Sequence, residues 1–378
     1  MKTRHAILWS WFCVMVCGSW AACFGWSHQG HILLTRLACL RIIEDPAAPK
    51  GLRDFLRQNM PHSLADCQSL AEQETVGAHP ENLPQYDQGL DKWATMPDRV
   101  KLLPEGRVNI KPYGAPEYQM HYLDLEAFSG QWQYRDDLSG KPDVEKIPHD
   151  VSDPRWKRGG FVPLRVEEMY HKLAQALGGG AVAADPQAAL EAAGFLAHYV
   201  EDSTQPHHAT IDARSYSYLA GHVKQIPVTT QPDTLAIVLL RRIEGFDPHA
   251  DIEWRLFENG DEPRATFRRQ FFQDLLAEID AQAAQRSHQP QPTAQTFDPF
   301  RWDLRTLSDS YDYLPFVGRA AQAGYATGQF DPAAFFGYRG QTHGRTMTMI
   351  QLIARQNAEA VLNVELVFRL AWEEAHRR

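Results

Sequence analysis

Apolar residues that return every third and fourth position, in segment after segment, commit most of this chain to helices. Val166, Met169, Tyr170, Leu173 and Leu177 form one such stripe, with Pro163 in its first turn and Gly178-Gly179-Gly180 behind it. Proline fits a first turn because its missing N–H would be unpaired there anyway, and glycine suits a helix end. A second stripe opens at Asp185-Pro186 and runs through Leu190, Ala193, Ala197 and Val200. A third carries Phe267, Phe271, Leu275 and Ile279, and the last spans about Thr346 to Glu374 with Ile350, Ile353, Val361, Val364 and Phe368. Strand-like alternation is nearly absent, and Gly and Pro gather in connectors from Gln289 to Pro299 and from Gly337 to Gly344. No internal repeat or compositional break divides the chain. With 378 residues, 44% of them hydrophobic, it can bury a sizeable core. The pattern predicts a single all-α, multi-helix domain over 26–378 with long loops, its functional site in a cleft between helices.

The first residues read as an address. Lys2 and Arg4 precede an uncharged apolar run from Ala6 to Phe24, the layout of a secretory signal peptide over 1–25 with cleavage before Trp26. A transmembrane anchor and a lipoprotein site at Cys23 are the competing readings. Cleavage implies a secreted or periplasmic protein without an anchor. It removes Cys13, Cys17 and Cys23 and leaves Cys39 and Cys67, a pair that an oxidising compartment could join. The net charge of -9 excludes a basic coat for nucleic acid. If the chain handles phosphate esters, positive charge must come from elsewhere.

Histidine is the unusual component. In a helix, residues i and i+4 share a face, so His-x-x-x-Asp/Glu can present two ligands to one metal ion. The chain has five such pairs: His62/Asp66, His149/Asp153, His198/Asp202, His208/Asp212 and His249/Glu253. Taken singly, each also fits a surface ion pair or a satisfied core histidine. His198 and Asp202 stand out because their helix is otherwise rich in Ala, Leu and Phe. A charged Asp buried there costs several kcal/mol unless it is paired or metal-bound. Ser203-Thr204-Gln205-Pro206-His207-His208 then ends the helix and adds more imidazoles. A buried His–Asp hydrogen bond beside an exposed His doublet would account for the same residues.

His198-x-x-x-Asp202-x-x-Gln205-Pro206-x-His208 resembles the signature of the zinc-dependent superfamily that joins secreted single-strand nucleases to bacterial phospholipases C. Other pieces follow in that superfamily's order. Trp26 with His31 resembles the mature amino terminus of the nucleases, whose first residue binds zinc through its amine and carbonyl. Pro97-Asp98-Arg99, His121-Tyr122-Leu123-Asp124 and His249-x-x-x-Glu253 resemble three further ligand segments. The resemblance reaches from Trp26 to Glu253 and implies three zinc ions. It gives Asp98, His121, His198 and one Asp202 oxygen to the first ion. The other Asp202 oxygen, His31 and Trp26 go to a close second, and His208, His249 and Glu253 to an open third. Nitrogen and carboxylate donors suit zinc. There are departures: Glu253 stands where the nucleases have Asp, the spacing around Trp93 leaves Asp91 as a rival of Asp98, and His207 as a rival of His208.

The resemblance implies hydrolysis of phosphodiesters. Three zinc ions against three carboxylates leave about +3 in one cleft, which lets an acidic protein attract phosphate. A hydroxide held by the close pair would attack phosphorus, oriented by Asp98, with Lys101 as a basic phosphate contact. Tyr122 would serve as a platform for a base and Asp124 as a partner for its edge. The expected substrate is single-stranded DNA or RNA. Phospholipid is the alternative, favoured by Glu253 and His208-Ala209-Thr210. A secreted helical module with a closed, structural zinc site is a second alternative, and no obligate protein partner is inferred.

Overall fold

The computed structural model describes residues 26–72, 86–102, 112–130, 133–178, 185–219, 247–253, 256 and 262–377. Residues 1–25, expected to form a signal peptide, and the glycines at 179 and 180 lie outside them. Three helices come first: α1 (Ser27–Glu44), α2 (Lys50–Asn59) and α3 (Leu64–Glu72). Three short ones follow, α4 (Gly89–Thr95), α5 (Glu126–Ser129) and α6 (Trp156–Gly159). The long α7 (Val162–Leu177) and α8 (Pro186–Asp202) lead to α9 (Pro248–Glu253) and α10 (Glu262–Arg286). The chain closes with α11 (Pro299–Tyr311), α12 (Leu314–Gly324), α13 (Pro332–Phe336) and α14 (Met349–Ala375). The fold is all-α, as the periodicity predicts. Among the described residues no helix is long and apolar enough to cross a membrane.

An Asp-Pro start recurs because it solves one problem. The first N–H groups of a helix lack partners, proline removes one of them, and the aspartate caps another. Asp185 accepts from Ala188 N at 3.0 Å, and Asp298 accepts from Arg301 N at 2.9 Å. Asp331 caps α13 in the same way. The last helix begins at Met349, three residues later than the apolar pattern suggests. Thr346 to Thr348 instead pair with β1 (Arg339–Thr342) in a hairpin, as part of β2 (Arg345–Thr348), in the register Arg339 to Thr348. The turn residues His343 and Gly344 have φ of 49° and 72°, so the connector's glycine serves a tight reversal. Thr348 then caps α14 in a capping box with Gln351.

Helix α8 is the axis of the core, with α7, α4, α14 and α1 packed around it. Every residue from Ala192 to Asp202 is buried. Such a helix shows no polar face, so its charged end residues need partners from its neighbours. Cys39 on α1 and Cys67 on α3 are buried free thiols, not a disulfide. Burial pushes the Cys67 thiol up to about 12.

Candidate metal centre

The helical repeat puts His198 and Asp202 on one face of α8, one turn apart. The helix stops at Ser203, and a short 3-10 turn, Pro206–Ala209, follows with Gln205 accepting from His207 N at 2.6 Å. That reversal brings His208 back until its Nδ1 lies 3.9 Å from Asp202 Oδ1. The turn is held from below by the carboxy-terminal helices. Ser203 Oγ donates to Asp303 at 3.1 Å, Ser310 Oγ donates to Ser203 O at 2.9 Å, and Gln356 donates to Thr204 O at 2.8 Å. These α11 and α14 bonds are one role of the carboxy-terminal helices that no sequence motif indicates.

Three groups of possible ligands result, each with donor atoms within 4.8 Å of one another. The first is Asp98, His121 and His198. Asp98 lies in a 3-10 turn, Pro97–Leu102, and its Oδ1 is 3.6 Å from His198 Nε2 and 3.7 Å from His121 Nδ1. The second is His31, His198 and Asp202, with His31 Nε2 3.5 Å from Asp202 Oδ1 and His198 Nε2 3.3 Å from Asp202 Oδ2. The His31 and His198 rings stack with centroids 3.8 Å apart. The third is His208, His249 and Glu253, where Glu253 Oε1 is 3.5 Å and 2.5 Å from the two Nε2 atoms. Tetrahedral zinc with bonds near 2.0–2.1 Å needs ligands about 3.3 Å apart. Most of these separations lie close to that edge length.

The outer bonds of the imidazoles point the same way. His198 Nδ1 donates to Ala94 O at 2.7 Å, His208 Nδ1 to His121 O at 2.5 Å, and His249 Nδ1 to Ala213 O at 3.0 Å. A carbonyl can only accept, so the proton sits on Nδ1 and the Nε2 lone pair faces the cluster. His31 makes the corresponding bond to a carboxylate, Glu201 Oε2, at 2.6 Å. His121 alone faces inward with Nδ1, 2.9 Å from Asp202 Oδ2.

The cluster holds polar atoms that the protein leaves unsatisfied. His31 Nε2, both Asp98 carboxylate oxygens and Asp202 Oδ1 are buried without a hydrogen-bond partner. Each such atom costs about 1–3 kcal/mol, and more when charged. Burial works to raise Asp202, but His198, His208 and His121 outweigh it and hold this carboxyl well below the ordinary range. Burial pushes Glu253 well up and the His31 imidazole well down. Among the described residues no Lys or Arg pairs with Asp98, Asp202, Glu201 or Glu253. Buried donors at cation-ligand spacing, with lone pairs turned inward and no basic side chain among them, suit divalent cations.

The remaining sequence candidates divide. Trp26 heads α1, buried, and its Nε1 donates to Glu201 O at 2.9 Å and to Thr204 Oγ1 at 3.1 Å. The indole thus anchors beside Asp202, and a free amine arises only once the chain is cut before Trp26. Tyr122 is half-buried, and its carbonyl lies where only a glycine can approach. A Cβ on Gly160, whose φ is 103°, would stand 2.2 Å from Tyr122 O. Asp124 N donates to Gly159 O at 2.6 Å, and burial followed by the Glu126 charge lifts its carboxyl well above the ordinary range. The side chain of Lys101 lies outside the described residues.

Asp91 does not join the cluster. It pairs with the Arg36 guanidinium, taking Nε on Oδ1 at 3.0 Å and NH2 on Oδ2, with His62 Nε2 at 3.2 Å. His207 turns away too, to Ser215 Oγ at 2.8 Å. His149 meets Glu167, and Asp212 accepts from Ser217, so only two of the five spaced pairs reach the cluster as pairs. Asp91→Asn is expected to destabilise the chain by about 3–5 kcal/mol, because Arg36 would remain buried without its partner. Metal content per folded chain should not change; urea unfolding and elemental analysis of the variant check both.

Sequence reasoning missed several supporting residues. Glu201 precedes Asp202 and binds His31, and Gln205 donates to Glu253 Oε1 at 2.8 Å. His28 Nε2 lies 3.4 Å from Asp98 Oδ2. Tyr199, packed edge-on to His121 and His198 at 5.5 Å, bonds Glu117 beside the buried Arg165. The acid next to Asp202 in an apolar helix was the one signal available. No protein-family model matches the chain, and no curated protein or solved structure matches it.

Proposed function

We propose that this chain is a secreted zinc-dependent phosphodiesterase, a nuclease that cleaves single-stranded DNA or RNA. The observation that carries the reading is the sharing of Asp202. One oxygen faces His31, the other faces His121 and His198, and the His208–His249–Glu253 group lies beside them. A close pair of cation sites with a third alongside suits a reaction in which both the attacking and the leaving oxygen need charge stabilisation. In this reading His31, Asp98, His121, His198 and Asp202 would hold two ions, with Trp26 after cleavage, and His208, His249 and Glu253 a third. Zinc there supplies concentrated positive charge and lowers the pKa of a water to about 7.

The chain's own groups do the rest. Asp98 has carboxylate oxygens without hydrogen-bond partners and can orient the attacking water. Gln205 holds Glu253 against the third group. Tyr122 offers a ring on which an unstacked base can lie, worth about 1–3 kcal/mol per base. Asp124, two residues on, is the partner that would accept a hydrogen bond from a base edge.

The test uses the secreted, zinc-loaded chain on a single-stranded oligonucleotide, phosphatidylcholine and bis-p-nitrophenyl phosphate. Cleavage of the oligonucleotide is expected. Release of phosphocholine without nucleotide products would reassign the substrate to phospholipid, and bound zinc without turnover of any of the three would leave a structural metal site. Chelation should abolish turnover and restored zinc should recover it. It should also lower thermal stability, since ligand at 1,000 times its Kd contributes about 4.1 kcal/mol; calorimetry with and without chelator checks this.

A further inference from the structure

The acid beside Asp202 stands in an unusual position. Successive residues of a helix point about 100° apart, so Asp202 faces the cluster while Glu201 faces α1. Glu201 is fully buried, and both its oxygens are used. Oε2 meets His31 Nδ1 at 2.6 Å and Oε1 accepts from Thr35 Oγ1 at 2.9 Å. His31 and Thr35 are one turn apart on α1, and the Glu201 carbonyl also receives the Trp26 indole. Of the four imidazoles that turn Nε2 inward, three rest Nδ1 on a neutral carbonyl, of Ala94, His121 and Ala213. His31 rests on a carboxylate. A charged partner on the outer nitrogen makes an imidazole a stronger donor at the inner one, and such partners are worth about 10–100-fold in metal affinity.

We infer that Glu201 is a positioning residue that fixes the His31 ring through its Nδ1 and strengthens its Nε2 as a ligand, so that the His31–His198–Asp202 site binds its cation most tightly. The inference rests on the metal reading proposed above and adds an order of affinities among the sites. A helix-to-helix staple would use the same bonds but would leave all ions equally affected.

The test is a chelator titration of the zinc-loaded full chain with dipicolinate, reading zinc per chain by elemental analysis and site identity from the absorption of the cobalt(II)-substituted protein. In the unaltered chain the ion beside His31 should leave last. Glu201→Gln keeps the shape and the acceptor oxygen but removes the charge. It should weaken that one ion by about 10–100-fold, leave the others within threefold and erase the order. Thr35→Val, which removes only the staple's other bond, should move no affinity by more than about threefold. If Glu201→Gln does not fold, Glu201→Asp carries the same prediction at a smaller size, because charge is kept on a shorter arm. An unchanged affinity of the ion beside His31 in the Gln variant, or a uniform loss across all the ions, overturns the assignment while leaving the metal reading intact. An unaltered chain that holds no zinc overturns both.

Discussion

Asp202→Asn is expected to strip the chain of at least one bound ion and of the proposed phosphodiesterase activity together. The carboxylate meets His31, His198, His121 and His208 at 3.5, 3.3, 2.9 and 3.9 Å, so among the described residues it is the only acid within 4 Å of imidazoles of all three groups. Asparagine has nearly the same shape but no charge, and its amide nitrogen would turn a donor toward the cation positions. Metal catalysis is worth several kcal/mol of transition-state stabilisation, so the loss should be roughly 10³-fold or more in kcat/KM. The fold should survive, because the neighbours of the substituted side chain are imidazoles that can change partners. Zinc per chain by elemental analysis and turnover of bis-p-nitrophenyl phosphate read the two effects. Unchanged stoichiometry in the variant would remove Asp202 from the shared position.

The second large effect lies away from any ligand. Gly194 is one turn before His198 on α8, at the contact with α4. A Cβ built there would stand 2.3 Å from Trp93 Cβ, 2.5 Å from Trp93 C and 2.8 Å from Ala94 N. Two of these atoms are backbone, so Gly194→Ala must push α4 away from α8. In an exposed helix the same change stabilises by about 1 kcal/mol. Here overpacking should cost about 1–3 kcal/mol or more, reversing the sign. The displaced segment carries Ala94 O, which fixes His198 Nδ1 at 2.7 Å, and leads into the turn that holds Asp98. Zinc affinity should therefore fall about tenfold or more along with stability, as with other outer-shell losses. Urea unfolding of the zinc-free chain separates the packing cost from the metal effect, and a more stable variant would refute the contact.

Much of this architecture was legible in the residue order. The stripe from Val166 to Leu177, its proline and its glycine stop gave α7 nearly to the residue, and Asp185-Pro186 marked the start of α8. Local chemistry decides these features, and local chemistry is written along the chain. The hairpin at Arg339–Thr348 was less visible, because four-residue strands leave too short an alternation to separate from a connector. The choice between Asp91 and Asp98 was not legible either. Asp91 lies in α4 and Asp98 in the turn just after it, and what separates them is Arg36, 55 positions before Asp91, which claims that carboxylate.

By itself, then, the order of residues determined a helical chain, the face shared by His198 and Asp202, and the residue types able to bind a hard or borderline cation. It did not determine which imidazole reaches which acid. Only tertiary structure decided that His31 comes to Asp202, that His207 goes to Ser215 while His208 joins Glu253, and that Glu201 backs His31. The physical reason is range: periodicity and capping act within a few residues, whereas the cluster is assembled by helices whose packing is fixed by side chains far apart in the chain.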